Sequence, residues 1–134
     1  MSQENVEMIR RGYGAFNRGD LDGMVADFAP EFEFVPTGAV PGAGSRIRGG
    51  PDRWRELVDW FWGEFDDAGA EIHKLTEAGD NVLAELTLRG RGKQSGAEAS
   101  WHLWHLWVIE DGKVAYGQGF TTRAEALEAA GLSE

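Results

Sequence analysis

Apolar residues recur at every third or fourth position in three parts of the chain, which is the period of an amphipathic helix. The first stripe predicts a helix over residues 2–18, and the third predicts a helix over residues 51 to about 66. Between them, Asp20 caps a short predicted helix that continues to Phe28 and is closed by Pro30. The apolar positions of the three stripes are Val6, Ile9, Tyr13, Phe16, Leu21, Met24, Val25, Phe28, Trp54, Leu57, Val58, Phe61 and Phe65.

The other apolar residues alternate with polar ones or form continuous runs, as they do in strands. This pattern predicts strands over residues 31–35, 70–78, 81–91, 97–109 and 113–120. A terminal helix is predicted over residues 123–132, with Gly131 as its C-cap, and residues 36–50 are predicted to form a glycine-rich loop. Helices that precede an antiparallel series of strands indicate an α+β fold, with the helices packed on one face of a curved sheet.

The longest predicted strand is apolar on both of its faces. Trp101, His105 and Trp107 share one face because strand side chains alternate, while His102 and Trp104 share the other. Such a pattern predicts burial on both sides. We expect one face to meet the helices and a second subunit to cover the other, since so short a chain leaves no second layer for it.

Composition and charge exclude several classes of function. The chain has 134 residues, with 13 basic against 23 acidic side chains and a formal net charge of −10. We therefore expect a single domain that binds neither nucleic acid nor an anionic membrane. The lack of cysteine excludes disulfides, thiolate nucleophiles and cysteine zinc sites. No apolar run approaches the roughly 20 residues of a membrane span, and the start lacks the apolar core of a secretory signal, so a cytoplasmic location is expected.

Four segments together resemble one family and follow its order along the chain. They are GYGAFNRGDLDGMVADFAPEFEF at 12–34, GRGKQSG at 90–96, HLWVIEDGKV at 105–114 and RAEALEAAGL at 123–132. Over nearly its whole length the sequence resembles the SnoaL-like branch of the nuclear transport factor 2-like superfamily, so residues 1–134 are interpreted as a single SnoaL-like domain. The resemblance implies a cone-shaped, curved antiparallel sheet wrapped around the N-terminal helices, a nuclear transport factor 2-like or cystatin-like α+β barrel.

The resemblance also implies a deep apolar pocket inside the cone and a homodimer that forms through the outer sheet face. Members of the superfamily include polyketide cyclases, ketosteroid isomerases, epoxide hydrolases and dehydratases. Because one fold carries so many reactions, the function has to be argued from the residues of the site.

His105 is the first candidate for catalysis, because an imidazole titrates near neutral pH and can act as a general acid or base. In the resembling family, the position two residues before Trp107 often carries a polar side chain that points into the cavity. The alternative is a core or interface histidine that is bonded to a backbone carbonyl or a hydroxyl group. His102 is expected on the outer face and His73 at the surface, and the spacing of the three histidines predicts no metal site.

An apolar cavity with a few polar groups suits a small hydrophobic or aromatic ligand. The aromatic residues of the chain could line such a cavity or could simply fill the core. If a reaction occurs there, Tyr13 or Gln118 would stabilise the developing oxyanion. No cofactor is predicted. The predicted ligand-contacting residues are Tyr13, Phe28, Phe34, Trp54, Trp101, Trp107 and Gln118.

Two positions near the end of the last strand depart from the pattern of catalytic relatives, which often carry an acid there. Gly119 and Thr122 occupy these positions, and neither exchanges protons as a carboxylic acid does. Asp27 is interpreted as a solvated helix residue, and Trp60, which lies off the helical stripe, as a surface or interface residue. Two hypotheses stay open: a cofactor-independent isomerase, cyclase or lyase that acts next to a carbonyl, and a non-catalytic ligand-binding or dimerisation module.

Overall fold

The computed structural model describes residues 2–37, 39 and 46–133. Residues 38 and 40–45 of the predicted loop lie outside the described part of the chain. Helices come first and most strands follow, as expected of an α+β fold. The elements are α1 (Ser2–Arg18), α2 (Leu21–Val25), β1 (Phe28–Val35), α3 (Gly50–Glu64), β2 (Phe65–Ala78), β3 (Asn81–Gly92), β4 (Glu98–Glu110), β5 (Lys113–Phe120) and α4 (Arg123–Ala130).

The strands form one open sheet in the order β1-β5-β4-β3-β2. Strands β2 to β5 pair antiparallel, as expected, but β1 pairs with β5 in parallel, so the sheet is mixed. The expectation of a wholly antiparallel sheet is wrong at this edge. The chain leaves β1 through α3 and begins β2 at the opposite edge, so β1 is not joined to its neighbour β5 by a hairpin that would make the two antiparallel. Within the described residues, the free side of β1 carries only an isolated bridge from Phe34 to Ile47, and the sheet does not close into a barrel. The α+β class itself, with N-terminal helices packed on the sheet, is confirmed.

The second helix is shorter than the sequence pattern predicts. It ends at Val25, and Phe28 begins β1 instead of completing the helical stripe. The ring of Phe28 stacks on that of Phe32 with a centroid distance of 4.1 Å, so the stripe and the strand share this aromatic residue. Pro30 lies inside β1 where the pairing with β5 is interrupted, and its missing N–H therefore costs no ladder hydrogen bond.

Helix α3 passes into β2 without a loop. The helix ends at Glu64, and Phe65 begins the strand while its N–H donates to the carbonyl oxygen of Phe61. The strand predicted over residues 70–78 is therefore only the second half of a longer one. Its first half contains a register shift around Asp67, which has a φ of 55°.

Helices α1 and α3 cover the inner face of the sheet, with α1 against β2 and β3 and α3 against β1 and β2. Asn17 ties α1 to the edge strand, because its amide donates to Ala70 O at 2.9 Å and accepts from Ala70 N at 2.7 Å. The buried members of this inner core are Val6, Ile9, Phe32, Phe34, Ile47, Ala70, Val82, Ala84, Leu86, Leu103, Trp107, Ile109 and Val114.

Helix α4 covers part of the outer face of the sheet. Leu83, Trp104 and Leu106 are buried there together with Ala126 of α4. The expectation that the chain has no second layer for this face is therefore wrong, because its own terminal helix supplies one. Trp104 retains only 9% of its surface and is not available as an open interface residue.

Candidate functional site

A partly open cavity of about 150 Å³ lies between the helices and the inner face of the sheet. Its wall is mostly apolar and is built by all three N-terminal helices and by β1, β2, β3, β4 and β5. Among the described residues, the oxygen-bearing and imidazole side chains of the wall are those of Tyr13, Asp27, Thr37 and His105. The aromatic members of the wall are Tyr13, Phe16, Phe28, Phe34, Trp54, Trp60, Phe61 and Trp107.

Two glycines of β5 make room for the aromatic wall. Strand alternation turns Gly117 and Gly119 inward, opposite Trp107 and His105 of β4. A Cβ at Gly117 would lie 2.6 Å from Phe34 Cδ1 and 2.7 Å from Trp107 Cζ3. The two rings therefore rest directly on the bare backbone of β5, with their centroids 5.6 Å apart.

A chain of hydrogen bonds joins three side chains in the wall. Trp107 Nε1 donates to the hydroxyl oxygen of Tyr13 at 2.9 Å, and this oxygen lies 2.7 Å from Nδ1 of His105. Tyr13 comes from α1, whereas the other two residues are neighbours on one face of β4. The Tyr13 hydroxyl group therefore holds the imidazole through Nδ1. This agrees with the alternative interpretation of His105 as a histidine bonded to a hydroxyl group, but the ring also lines the cavity.

Burial controls the protonation of this group. Desolvation lowers the pKa of His105 to about 4, because the apolar surroundings disfavour the imidazolium cation. Desolvation also raises the pKa of the Tyr13 hydroxyl well above its ordinary value, an effect that the hydrogen bond from Trp107 opposes only in part. At neutral pH both groups are therefore uncharged, and the imidazole has one donor and one acceptor nitrogen.

The structure brings six of the sequence-predicted site residues to the cavity wall. They come from both helices and strands, so the cavity lies between the apolar faces of the helices and the apolar face of the sheet. These residues are His105, Tyr13, Phe28, Phe34, Trp54 and Trp107.

Two predicted residues lie elsewhere. Trp101 shares the inward face of β4 with His105, but four residues of strand separate them by about 14 Å. Its ring packs against Phe61 and Phe65, at 6.2 and 5.7 Å between centroids, below the cavity. Gln118 points to the outer face because its neighbours in β5 point inward, and it accepts a hydrogen bond from Tyr116 at 3.2 Å. Neither side chain belongs to the described wall of this cavity, and their contact with a ligand stays a prediction.

Asp27 and Trp60 are two of the wall residues that the sequence does not predict. Asp27 lines the cavity instead of a solvated helix face, because α2 ends before it and its carbonyl oxygen accepts the N–H of Val114 in the adjoining strand. Its carboxylate also lies 3.5 Å from Arg11 Nη2. Trp60 is 39% exposed, as its off-stripe position suggested, yet it still contributes to the wall. The sequence carries no signal for Asp27, because the helical spacing continues past it to Phe28.

The two positions that depart from the catalytic pattern differ in location. Gly119 lies in the cavity wall, where an added Cβ would be 3.6 Å from His105 Cδ2. Thr122 instead caps α4, with its side chain accepting the N–H of Glu125 at 3.3 Å. Only the glycine therefore marks a position from which an acidic side chain could have reached the cavity.

The other two histidines lie on the outer side of the sheet and are bonded to β3. His102 Nε2 lies 2.7 Å from Glu85 Oε2, and His73 Nε2 lies 2.7 Å from Thr87 Oγ1. Across the described ranges, no group of three or more histidine, aspartate or glutamate side chains is arranged to hold a metal ion. None of the described helices has the length and hydropathy that crossing a membrane requires.

Solved structures with the same fold cover nearly the whole chain. An NTF2-like protein from Burkholderia thailandensis is 24% identical, with a TM-score of 0.78 over 96% of this chain and 98% of its own. A protein from Catenulispora acidiphila with a ketosteroid isomerase-like fold, solved in complex with trimethylamine, is 16% identical, with a TM-score of 0.74 over 95% and 94%. TerC, co-crystallised with polyporic acid, is 21% identical, with a TM-score of 0.76 over 95% and 98%.

At these identities the similarity shows the fold alone. No curated protein matches the sequence. A family model described as a SnoaL-like domain matches residues 9–117, which include the described residues of the cavity wall except Met8 and Gly119. The chain belongs to the SnoaL-like domain family and has the same fold as solved NTF2-like proteins.

Proposed function

We propose that this domain binds one small, flat and mostly apolar molecule in the cavity between its helices and its sheet. The observation that carries the proposal is the aromatic cavity of about 150 Å³ with the ring of His105 in its wall. An apolar protein cavity of about that size holds a benzene-sized molecule. Two proteins of the same fold were crystallised with small molecules, trimethylamine and polyporic acid, which supports ligand binding as a use of this fold.

Binding is favoured over catalysis by the protonation of His105. A general base works best when its pKa lies near the working pH, and burial lowers the pKa of this imidazole to about 4. A neutral imidazole that is held by Tyr13 is better suited to donate or accept one hydrogen bond than to remove a proton from carbon. The conclusion is a ligand-binding domain in which His105 fixes the orientation of its ligand.

Proton transfer next to a carbonyl is the second candidate function, and one observation favours it. The carboxylate of Asp27 and the imidazole of His105 belong to the wall of one cavity. A carboxylate could move the proton while the imidazole polarised the carbonyl, as in a cofactor-independent isomerase, cyclase or lyase. Asp27→Asn would abolish such turnover and leave ligand affinity nearly unchanged, whereas a pure binder would show no turnover to lose.

The binding proposal is tested by filling the cavity. Leu57 lines it from α3, whereas Leu127 of α4 packs in the outer cluster, so Leu57→Trp and Leu127→Trp form a matched pair. Toluene and p-cresol are titrated by calorimetry into the wild type and both variants. We expect binding to the wild type and to Leu127→Trp and its loss in Leu57→Trp. Equal binding to both variants would refute the cavity as the site.

We also propose a homodimer through the part of the outer sheet face that α4 leaves uncovered. His102 is 54% exposed in its side chain and is bonded to Glu85 on this face. His102→Glu places a second carboxylate beside Glu85, so a dimer that uses this face should dissociate in sedimentation equilibrium. Trp60→Glu on the helix side is the control. Dissociation by Trp60→Glu alone would assign the interface to α3 and refute the sheet-face dimer. The cytoplasmic location and the lack of nucleic-acid and membrane partners stay predictions.

A further inference from the structure

The hydrogen-bond chain in the cavity wall has a direction that the heavy atoms determine. An indole N–H can only donate, so Trp107 Nε1 occupies one lone pair of the Tyr13 oxygen. The Tyr13 hydroxyl proton then needs an acceptor, and His105 Nδ1, at 2.7 Å, is the one that the described residues offer. If Nδ1 carried a proton instead, the Tyr13 oxygen would accept twice and its own proton would have no partner. A buried polar hydrogen without a partner is costly, so the arrangement that satisfies all three groups has a bare Nδ1.

A neutral imidazole with a bare Nδ1 carries its proton on Nε2. We propose that the cavity presents a directed hydrogen-bond donor, the Nε2–H of His105, and that its ligand is a neutral molecule with a carbonyl-type acceptor on an otherwise apolar frame. This inference rests on the ligand-binding function proposed above. Successive hydrogen bonds polarise one another, so the donors behind Nδ1 favour this tautomer.

Nε2 is not fully enclosed by the protein. No described residue hydrogen-bonds to it, and no buried side-chain nitrogen or oxygen among the described residues lacks a partner, so this atom keeps surface that a ligand can reach. Cδ2, which is bonded to Nε2, lies beside Gly119, where a Cβ would be 3.6 Å from Cδ2 and 3.0 Å from the methyl group of Thr37. The glycine adds no side chain of its own to this narrow space, and both residues line the cavity together with the imidazole.

The charges of the wall select an uncharged ligand. Asp27 is the one carboxylate of the described wall, and this wall contains no lysine or arginine side chain. The Asp27 carboxylate lies 3.5 Å from Arg11 Nη2, so its charge is already balanced and the described wall offers no unbalanced charge to pair with an anion or a cation. A charged group in a mostly apolar cavity also loses its hydration. A ketone or aldehyde avoids this cost and accepts the Nε2–H.

The first test measures the tautomer directly and needs no ligand. Long-range ¹H–¹⁵N correlation spectra at pH 7 distinguish a protonated Nε2 from a protonated Nδ1, and the signal lost in His105→Phe assigns the residue. We expect the Nε2–H pattern for His105. The Nδ1–H pattern would overturn the inference. Tyr13→Phe removes the donor to Nδ1 and should shift the Nδ1 resonance of His105, while the exposed His102 serves as a check that the fold is intact. An unmoved Nδ1 resonance would overturn the positioning role of Tyr13.

The second test compares three ring probes of similar size by calorimetry: cyclopentanone, its apolar isostere methylenecyclopentane, and pyrrole, which offers an N–H donor. The ratio of the affinities of the wild type and His105→Phe is measured for each probe. Because the same free probe binds both proteins, the hydration of the free probe does not affect this ratio. We expect about a fivefold loss for cyclopentanone, the usual net worth of one neutral hydrogen bond, and little change for the isostere.

The outcomes separate the two proposals. A loss confined to pyrrole, or an equal change for all three probes, would overturn the donor assignment and leave the cavity as a binding site. Failure of every probe to bind the wild type would refute the proposed function and with it the inferred ligand class. A selective loss for cyclopentanone together with the Nε2–H pattern supports the inference.

Discussion

The bare backbone of β5 gives the sharpest prediction about stability. Gly117→Ala adds one methyl group at a point where the structure has no space for it. The new Cβ would lie 2.6 Å from Phe34 Cδ1 and 2.7 Å from Trp107 Cζ3, whereas carbon atoms in contact are about 3.5–4.0 Å apart. Both rings are buried, with 4% and 5% of their surface exposed, and Phe34 also touches Trp54, with their centroids 4.8 Å apart. The rings therefore cannot move without disturbing the rest of the wall.

The expected cost follows from two opposing effects. Overpacking a buried site costs about 1–3 kcal/mol, while alanine in a strand recovers roughly 0.5–1 kcal/mol of the backbone entropy that glycine loses. Two buried rings clash with the added methyl group at once, which places the overpacking cost in the upper half of its range and the net destabilisation at about 1–2 kcal/mol. For a domain of this length each kcal/mol lowers Tm by roughly 3–5 °C, so Gly117→Ala should melt about 3–10 °C below the wild type.

Two further glycines provide the controls for calorimetric melting. Gly63 is exposed in α3 with nothing within 4 Å of an added Cβ, so Gly63→Ala should be neutral or stabilising by up to about 1 kcal/mol. Gly119→Ala should fall between the two, because its nearest contact is the Thr37 methyl group at 3.0 Å. If Gly117→Ala melts within about 1 °C of the wild type, the argument from close ring packing is wrong.

Three other predictions concern pH, the edge strand and the missing acid. Because His105 has a pKa of about 4 when folded and 6.5 when unfolded, the unfolded chain binds the proton first as the pH falls. The stabilisation by the neutral imidazole is complete above pH 6.5, and up to about 3 kcal/mol of it is lost between pH 6.5 and 4. As the pH falls over this range, the midpoint of urea unfolding should therefore fall more steeply for the wild type than for His105→Phe. Equal dependence of the two midpoints on pH would contradict this. Asn17→Ala removes both hydrogen bonds to Ala70 and should cost about 1–3 kcal/mol in urea unfolding; a smaller loss would mean that water replaces the amide. Thr122→Asp should keep the melting temperature, since aspartate also caps helices, and should create no activity, whereas Gly119→Asp should alter ligand binding; gained turnover in Thr122→Asp would refute its assignment as a cap.

Much of the fold could be predicted because the helical and strand periods are strong. The limits of α1, β5 and the antiparallel hairpins follow from spacing and glycine turns alone. The parallel edge strand could not be predicted, because a short alternating segment does not specify which strand it joins or in which direction. The spacing of Phe28 continues the stripe of α2 and therefore predicts a helix, whereas its stacking on Phe32 shows that tertiary packing places it in β1.

The site could be predicted in part for a similar reason. Strand alternation is enough to place His105 and Trp107 on one face, and the cavity lies there. Alternation does not reveal how far along the strand the cavity extends. It therefore predicts Trp101 in the cavity wall as well, whereas the ring of Trp101 packs against Phe65 beyond the end of the cavity. The hydrogen-bonding groups of Gln118 make it a candidate in the sequence. Positions 117 and 119 on either side of it are on the inner face, so strand alternation places Gln118 on the outer face. The contribution of Asp27 depends on where α2 ends, a boundary that local propensity does not determine.

The direct passage from α3 into β2 has a practical consequence for protein engineering. One extra residue between Glu64 and Phe65 would reverse the side to which each following residue of β2 points, until the irregularity at Asp67 could absorb the shift. Peptide tags and inserted domains therefore belong elsewhere. The exposed turn over residues 93–97, between β3 and β4, has no such constraint and is the better place to lengthen the chain.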